Sequence, residues 1–185
     1  MSGCFVFGGL LPPAYDSHAG PGTCDRRRAG YRTDMRKLVN GLLAGAAGTA
    51  ALDAATYLDM AMRGRPASTT PARSVRQLAR RARIGLGTGG RSDNRANGLG
   101  ALLGYATGAG VGAAYAYTVG RRLPWPVSAV VLALGAMVAA NAPMTAMKVT
   151  DPRTLSAADW AADVAPHAAY GTVTAIALDR LASEP

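Results

Sequence analysis

The chain has 185 residues, of which 49% are hydrophobic but only 6% aromatic, and it carries a formal charge of +9 at neutral pH. That length allows one domain or one small helical bundle, and its apolar content is mostly alanine and small aliphatics rather than the large side chains of a water-driven core. Cys4 and Cys24 are the only cysteines, and His18 and His167 the only histidines, which excludes a disulfide framework and a structural zinc site.

Residues 1–34 bear glycine and proline, lack helical periodicity and differ in character from the rest of the chain. Met35-Arg36-Lys37 then leads directly into an apolar run. The reading is therefore a leader over 1–34 that is disordered or not translated, with 35–185 as the membrane domain. Residues 38–62, LVNGLLAGAAGTAALDAATYLDMAM, set Gly41, Gly45 and Gly48 at helical spacing. A positive flank before an apolar run also fits a secretory signal, but Asp53 and the length to Met62 favour a retained span.

Residues 63–97 form an arginine-rich connection. Its opening, RGRPASTTPARS, reads as loop. SVRQLARRARIGL offers a short amphipathic helix with Val75, Leu78 and Ala82 on one face, which would suit an anionic membrane surface. The plainer reading is a solvated loop whose arginines fix topology. GLGTGGRSDN lacks the Lys-Ser/Thr of a phosphate-binding P-loop and reads as a flexible linker.

Residues 98–120, GLGALLGYATGAGVGAAYAYTVG, contain no Asp, Glu, Lys, Arg or His. At ~1.5 Å per residue they reach roughly 33 Å, enough to cross a hydrocarbon core of about 30 Å. Gly100, Gly104, Gly108 and Gly112 recur every fourth residue. In water each would cost about 1 kcal/mol against alanine. In lipid the backbone has no water to turn to, so the helix persists, and small residues let a neighbouring backbone approach. Residues 124–147 are also uncharged, with Pro124, Trp125 and Pro126 at the start, where proline suits a first turn and tryptophan an interface. Residues 159–182 are alanine-rich and hold Asp163 and His167. Ser156 and Asp159 match a capping box with Asp in place of Glu, marking the start of that helix.

The expected fold is all-α: an integral membrane four-helix bundle with glycine-notched packing and spans near 38–62, 98–120, 124–147 and 159–182. Basic residues concentrate in the 63–97 loop, which places that loop in the cytoplasm of a bacterial plasma membrane if the chain starts near Met35. Ionisable groups at membrane depth are functional candidates. Asp53, Asn141, Asp163 and His167 all fall in the half of the bilayer nearer that loop, as would befit a polar vestibule, with Tyr170 extending the Asp163–His167 face of the last helix and Asp53 and His167 deep enough to pair. Two readings of this cluster stand: a structural lock that holds the helices in register, or proton or small-solute handling through an Asp–His pair. A third reading is recognition of anionic lipid head groups or of a partner through the arginine loop.

No nucleophile elbow, Cys–His pair or metal-ligand cluster appears, so the sequence calls for neither an enzyme nor a cofactor. The arginines flank apolar spans and lack interleaved aromatics, so topology accounts for them better than nucleic acid does. The implied partners are the lipid bilayer and its anionic head groups, and the glycine row would also serve a homo-oligomer.

GLLAGAAGTAALDAATY, the adjoining RPASTTP, the glycine-rich second span and DPRTLSAADWAADVAPHAAYG resemble a group of small multi-span membrane proteins of high-GC bacteria. More distantly, the G-x-x-x-G-x-x-G-T opening helix and the His-containing last helix resemble the YagU-like inner-membrane family. The resemblance covers roughly residues 35–182. It implies a multi-span protein and supplies no catalytic residues.

Overall fold

Small residues at i, i+3, i+4 and i+7 give a helix a shallow groove in place of a ridge, and two such grooves bring backbones into contact. Gly41, Ala44, Gly45, Gly48 and Thr49 form one such stripe, and all five are buried. The structure, a computed structural model, describes the backbone of residues 21–183 and the side chains of residues 30–183. Its elements are α1 (Pro21–Arg63), α2 (Thr70–Arg81), α3 (Gly89–Thr118), α4 (Trp125–Ala146) and α5 (Ala157–Ser183), with a 3-10 turn at Pro152–Thr154. No strand occurs among the described residues. The chain divides into Met1–Arg36 and Lys37–Pro185, and the helix contacts described below lie within the second unit.

The α1 stripe meets α3. A Cβ added to Gly41 would lie 2.6 Å from the Ala113 Cα and 2.7 Å from the Gly112 carbonyl oxygen, and one added to Gly45 would lie 2.5 Å from the Gly108 oxygen. At Gly112 a Cβ would strike the Gly41 oxygen. Rising numbers on α1 meet falling numbers on α3, so the two run antiparallel. The glycine hydrogens that stand in place of those Cβ atoms point at carbonyl oxygens across the seam, as in Cα–H···O contacts between close helices. Tyr170 of α5 fills the remaining space. Its ring lies against Gly48 and Gly108, it is 1% exposed, and its hydroxyl donates to the Gly108 carbonyl at 2.6 Å.

The α4–α5 pair uses the same device. A Cβ on Gly171 would collide with the Ala129 carbonyl and lie 2.8 Å from the Ala133 Cβ. Leu132 and Ala136 complete this contact, both buried. Asn40 Nδ2 donates to the Leu181 carbonyl at 3.2 Å, joining α1 to α5, and Tyr115 donates to Ser128 Oγ at 2.6 Å, joining α3 to α4.

Leu132 apart, most of the long aliphatics lie on the outside. Leu42, Leu43 and Leu58 of α1, Leu99 and Leu102 of α3, Val130, Leu134 and Val138 of α4, and Val164 and Ile176 of α5 are all exposed, Leu102 at 67% and Val138 at 63%. Among the described residues two helices are long and apolar enough to cross a membrane, α1 over Gly30–Arg63 and α4 over Trp125–Ala146.

Several expectations need correction. Residues 1–20 of the expected leader lie outside the described residues, and its remainder, Pro21–Asp34, is helical and part of α1. Residues 63–97 are not mainly loop. α2 buries Ala72, Ser74 and Val75 against α3, while Leu78, expected on the apolar face, stays exposed. Gly89–Asn94, read as linker, forms the opening turns of α3. Ala96 and Gly100 of α3 give α2 its seat, and Arg76 of α2 pairs with Asp93 of α3 at 2.7 Å beside that contact.

Gly100, Gly104, Gly108 and Gly112 are not one packing face. Gly108 and Gly112 meet α1, Gly100 meets Pro71 and Ala72 of α2, and Gly104 has nothing within 4 Å of an added Cβ. The cause is the helix period. A four-residue repeat overshoots a 3.6-residue turn by about 40° each step, so Gly100 and Gly112 point roughly 120° apart.

Gly112→Leu forces a side chain into the α1 backbone, whereas Gly104→Leu points into open space. The first lowers stability by about 2 kcal/mol or more, in the range of overpacking costs, and the second leaves it nearly unchanged. Denaturation midpoints of the purified variants measure both.

Candidate functional site

Helix α5 begins with a reciprocal cap. The Ser156 amide and hydroxyl donate to Asp159 Oδ2 at 3.0 and 2.6 Å, and the Asp159 amide donates back to Ser156 Oγ at 3.2 Å. A carboxylate at this position also favours the helix N-terminus electrostatically. The cap fixes where α5 starts and so the phase of the residues after it. One turn further, Asp163 and His167 share a face at i, i+4 spacing.

Three side chains come together there. Asn141 of α4 donates from Nδ2 to Asp163 Oδ2 at 2.7 Å. His167 Nδ1 lies 2.7 Å from the Asp163 carbonyl oxygen and 3.3 Å from Asp163 Oδ1. A carbonyl only accepts, so Nδ1 carries a proton and donates, which leaves Nε2 for other contacts. Nε2 has no hydrogen-bond partner among the described residues. Pro166, just before His167, has no N–H, so the Ala162 carbonyl lacks its helical donor. Pro143 does the same to Ala139 on α4.

Asp53 and Tyr170 lie apart from this group. Asp53 is half-buried on α1 and faces Tyr105 of α3, with Tyr57 beside it. No hydrogen bond or ion pair joins it to His167 among the described residues, so the expected Asp53–His167 pairing is not formed. Tyr170 follows His167 by almost one turn but spends its hydroxyl on Gly108. The expected cluster is thus three separate arrangements: an Asn141–Asp163–His167 relay between α4 and α5, an Asp53–Tyr105 contact between α1 and α3, and the Tyr170 wedge. Tyr170 shares the helix face of Asp163 but lies two turns further along it, where α5 meets Gly48 of α1 and Gly108 of α3, whereas Asp163 lies at the level of Asn141 on α4.

Thr174 of α5 is fully buried and its Oγ1 has no hydrogen-bond partner among the described residues. It lies against Gly48, where an added Cβ would collide with it. The Gly48 hydrogen therefore faces this oxygen and supplies a weak Cα–H···O contact.

Two cavities touch these elements. A groove of about 270 Å³ between α4 and α5 is lined by Ala129, Ala133, Met137, Val164 and Ala168, with His167 at its wall. A second, of about 280 Å³, lies next to it at the α3–α4 turn, among Tyr115, Arg121, Arg122, Trp125 and Asp179. No group of three or more His, Cys, Asp or Glu side chains that could hold a metal ion occurs among the described residues.

Sequence reasoning missed Gly171 and the Tyr115–Ser128 bond. The signal for Gly171 was present in its partner, because Ala129 and Ala133 form a small-x-x-x-small pair. The tyrosine–serine bond had none, since it depends on the length of the α3–α4 turn. Neither a protein-family model nor a curated protein nor a solved structure matches the chain.

Asn141→Ala and Asp163→Ala each break the relay at a different point. Measured as a double-mutant cycle on unfolding free energy, the pair shows a coupling of about 0.5–3 kcal/mol, the range for groups within one hydrogen-bond network. Paired with Asp53→Ala, Asp163→Ala instead gives additive losses.

Proposed function

We propose that this chain is a multi-pass integral membrane protein with a structural or assembly role, in which α1, α3, α4 and α5 cross the bilayer as a four-helix bundle. One observation carries the reading: the packing is inverted. Glycine, alanine and threonine, with Leu132 and the rings of Tyr115 and Tyr170, fill the helix contacts, while most of the large leucine, valine and isoleucine side chains lie on the outside of all four long helices. In water that arrangement forfeits burial worth roughly 1.5–3 kcal/mol for each large side chain. In lipid there is no such loss, and close backbone packing supplies the association. The resemblance to small multi-span proteins and to the YagU-like family belongs to this same reading, as does a bacterial inner-membrane location with the arginine-rich 63–97 segment in the cytoplasm.

A structural role is supported by where the polar groups go. Asn141, Asp163 and His167 satisfy one another, and Asp53 faces a tyrosine on the neighbouring helix. No continuous polar path links these arrangements among the described residues, and the reading assigns the chain no catalytic chemistry. One observation favours proton handling as a second reading: His167 holds one nitrogen against Asp163 and keeps the other beside a groove. Under that reading His167→Gln abolishes proton flux in proteoliposomes while the fold is kept. Under the structural one flux is at background in both proteins.

The membrane reading is tested by alkaline carbonate extraction together with cysteine accessibility. The chain stays in the pellet, and Thr70→Cys and Leu155→Cys label from one face of the membrane while Arg121→Cys labels from the other. Release into the carbonate supernatant, or labelling of all three from one face, contradicts it.

A further inference from the structure

The turn between α3 and α4 is built for a task that helix packing does not require. Gly120, at φ +58°, takes the left-handed conformation that ends α3, and its amide donates to the Tyr115 carbonyl at 2.9 Å. That closing bond swings Arg121 and Arg122 out of the helix side by side. Beneath them the turn is tied down. The Ser128 amide donates to the Pro124 carbonyl at 3.0 Å, Ser128 Oγ donates to the Leu123 carbonyl at 3.3 Å, and buried Tyr115 donates to Ser128 Oγ. The result is a cavity of about 280 Å³ with a rigid floor, two guanidinium groups and the half-exposed indole of Trp125 at its rim.

The arginines are only lightly engaged. Arg121 reaches Asp179 at 3.4 Å and Ser183 Oγ at 3.3 Å, both long contacts on exposed side chains, and Arg122 donates once, to the Thr118 carbonyl at 2.6 Å. A guanidinium has five N–H donors, so most of the donors in this pair are open. Exposed ion pairs such as Arg121–Asp179 contribute little and yield to a better partner. Asp179 is the only acidic side chain on this cavity among the described residues and offsets one of the two positive charges.

We propose that this cavity binds the phosphate of an anionic phospholipid. The inference rests on the membrane reading above. Two adjacent arginines match a phosphodiester, which takes paired guanidinium hydrogen bonds better than single ammonium contacts. The choice of a lipid over a soluble phosphate rests on the surroundings. Trp125 suits the head-group level of a bilayer, and the exposed side chains beyond it along α4 are Val127, Val130, Val131 and Leu134, an apolar surface for acyl chains. The site lies at the end of the helices opposite the arginine-rich 63–97 segment and is distinct from it.

Native mass spectrometry of the full chain in detergent tests this, with dioleoyl phosphatidylglycerol and dioleoyl phosphatidylcholine as probes. Phosphatidylglycerol is retained at least about tenfold more tightly than phosphatidylcholine. The preference is lost in R121Q/R122Q and kept in R81Q/R83Q, which removes equal charge at the other end. Helix content by circular dichroism is the same in all three, since these arginines are exposed. Equal retention of the two lipids, or a preference untouched by R121Q/R122Q, overturns the assignment. Displacement of the lipid by an equal concentration of glycerol phosphate overturns it too, in favour of a soluble ligand. A chain that is monodisperse without detergent instead brings down the membrane reading itself, so the two failures are told apart.

Discussion

The contact on which the rest of the structure depends is backbone against backbone, where Gly41 and Gly45 of α1 meet Gly108 and Gly112 of α3. At that distance no side chain fits between the helices, so the seam has one register. Shifting either helix by a residue would set Leu42 or Val111 against a carbonyl. Tyr170 then has one place to go, between Gly48 and Gly108, and its hydroxyl finds the Gly108 carbonyl. A fixed α5 in turn sets α4 through Gly171, Ala129 and Ala133. The chain of dependence runs through glycines, each serving because it lacks a Cβ.

This mode of packing decides what the polar residues can do. Helices held by small residues leave little interior volume, so buried polar groups must be satisfied by near neighbours. Asp163 is met by Asn141 across the α4–α5 contact and by His167 on its own helix. Tyr170 uses a carbonyl already engaged in the α3 helix. Thr174 has only a glycine hydrogen, the weakest of these arrangements. The polar groups thus act as fasteners at particular contacts. The two cavities lie at the helix surface and at one end, away from the α1–α3 seam.

Much of the fold was legible in the sequence because its signals are compositional. Uncharged stretches of more than twenty residues, the Ser156–Asp159 cap and the Pro124-Trp125-Pro126 start each mark a helix by local chemistry, and α4 and α5 begin where those marks put them, whereas α1 and α3 start well before the apolar runs that signalled them. Less legible was which faces meet. Gly100 through Gly112 looks like one stripe when written as a line, yet a real helix turns it through a third of a revolution, and α2 and α1 share it. The α2 segment reads as loop because its arginines dominate, but Ala72 and Val75 needed only Ala96 and Gly100 opposite them to dock. Of the candidate site, the Asp163–His167 pair comes from i, i+4 spacing alone and Asn141 from matching depth. Asp53 could not be placed that way, because depth along a helix says nothing of which neighbour it faces.

If small residues point inward and large aliphatics point to lipid, nitroxide labels read that orientation directly. Labels are placed singly at Leu102, Leu134 and Val138, which are exposed, and at Ala44, Ala116 and Ala136, which are buried. In reconstituted protein the first three collide with membrane-dissolved oxygen and are shielded from a water-soluble nickel chelate, while the second three are shielded from both. Nickel-chelate access at Leu134 and Val138 equal to that of a label in free solution would contradict the inverted packing in lipid, because those side chains would then face water.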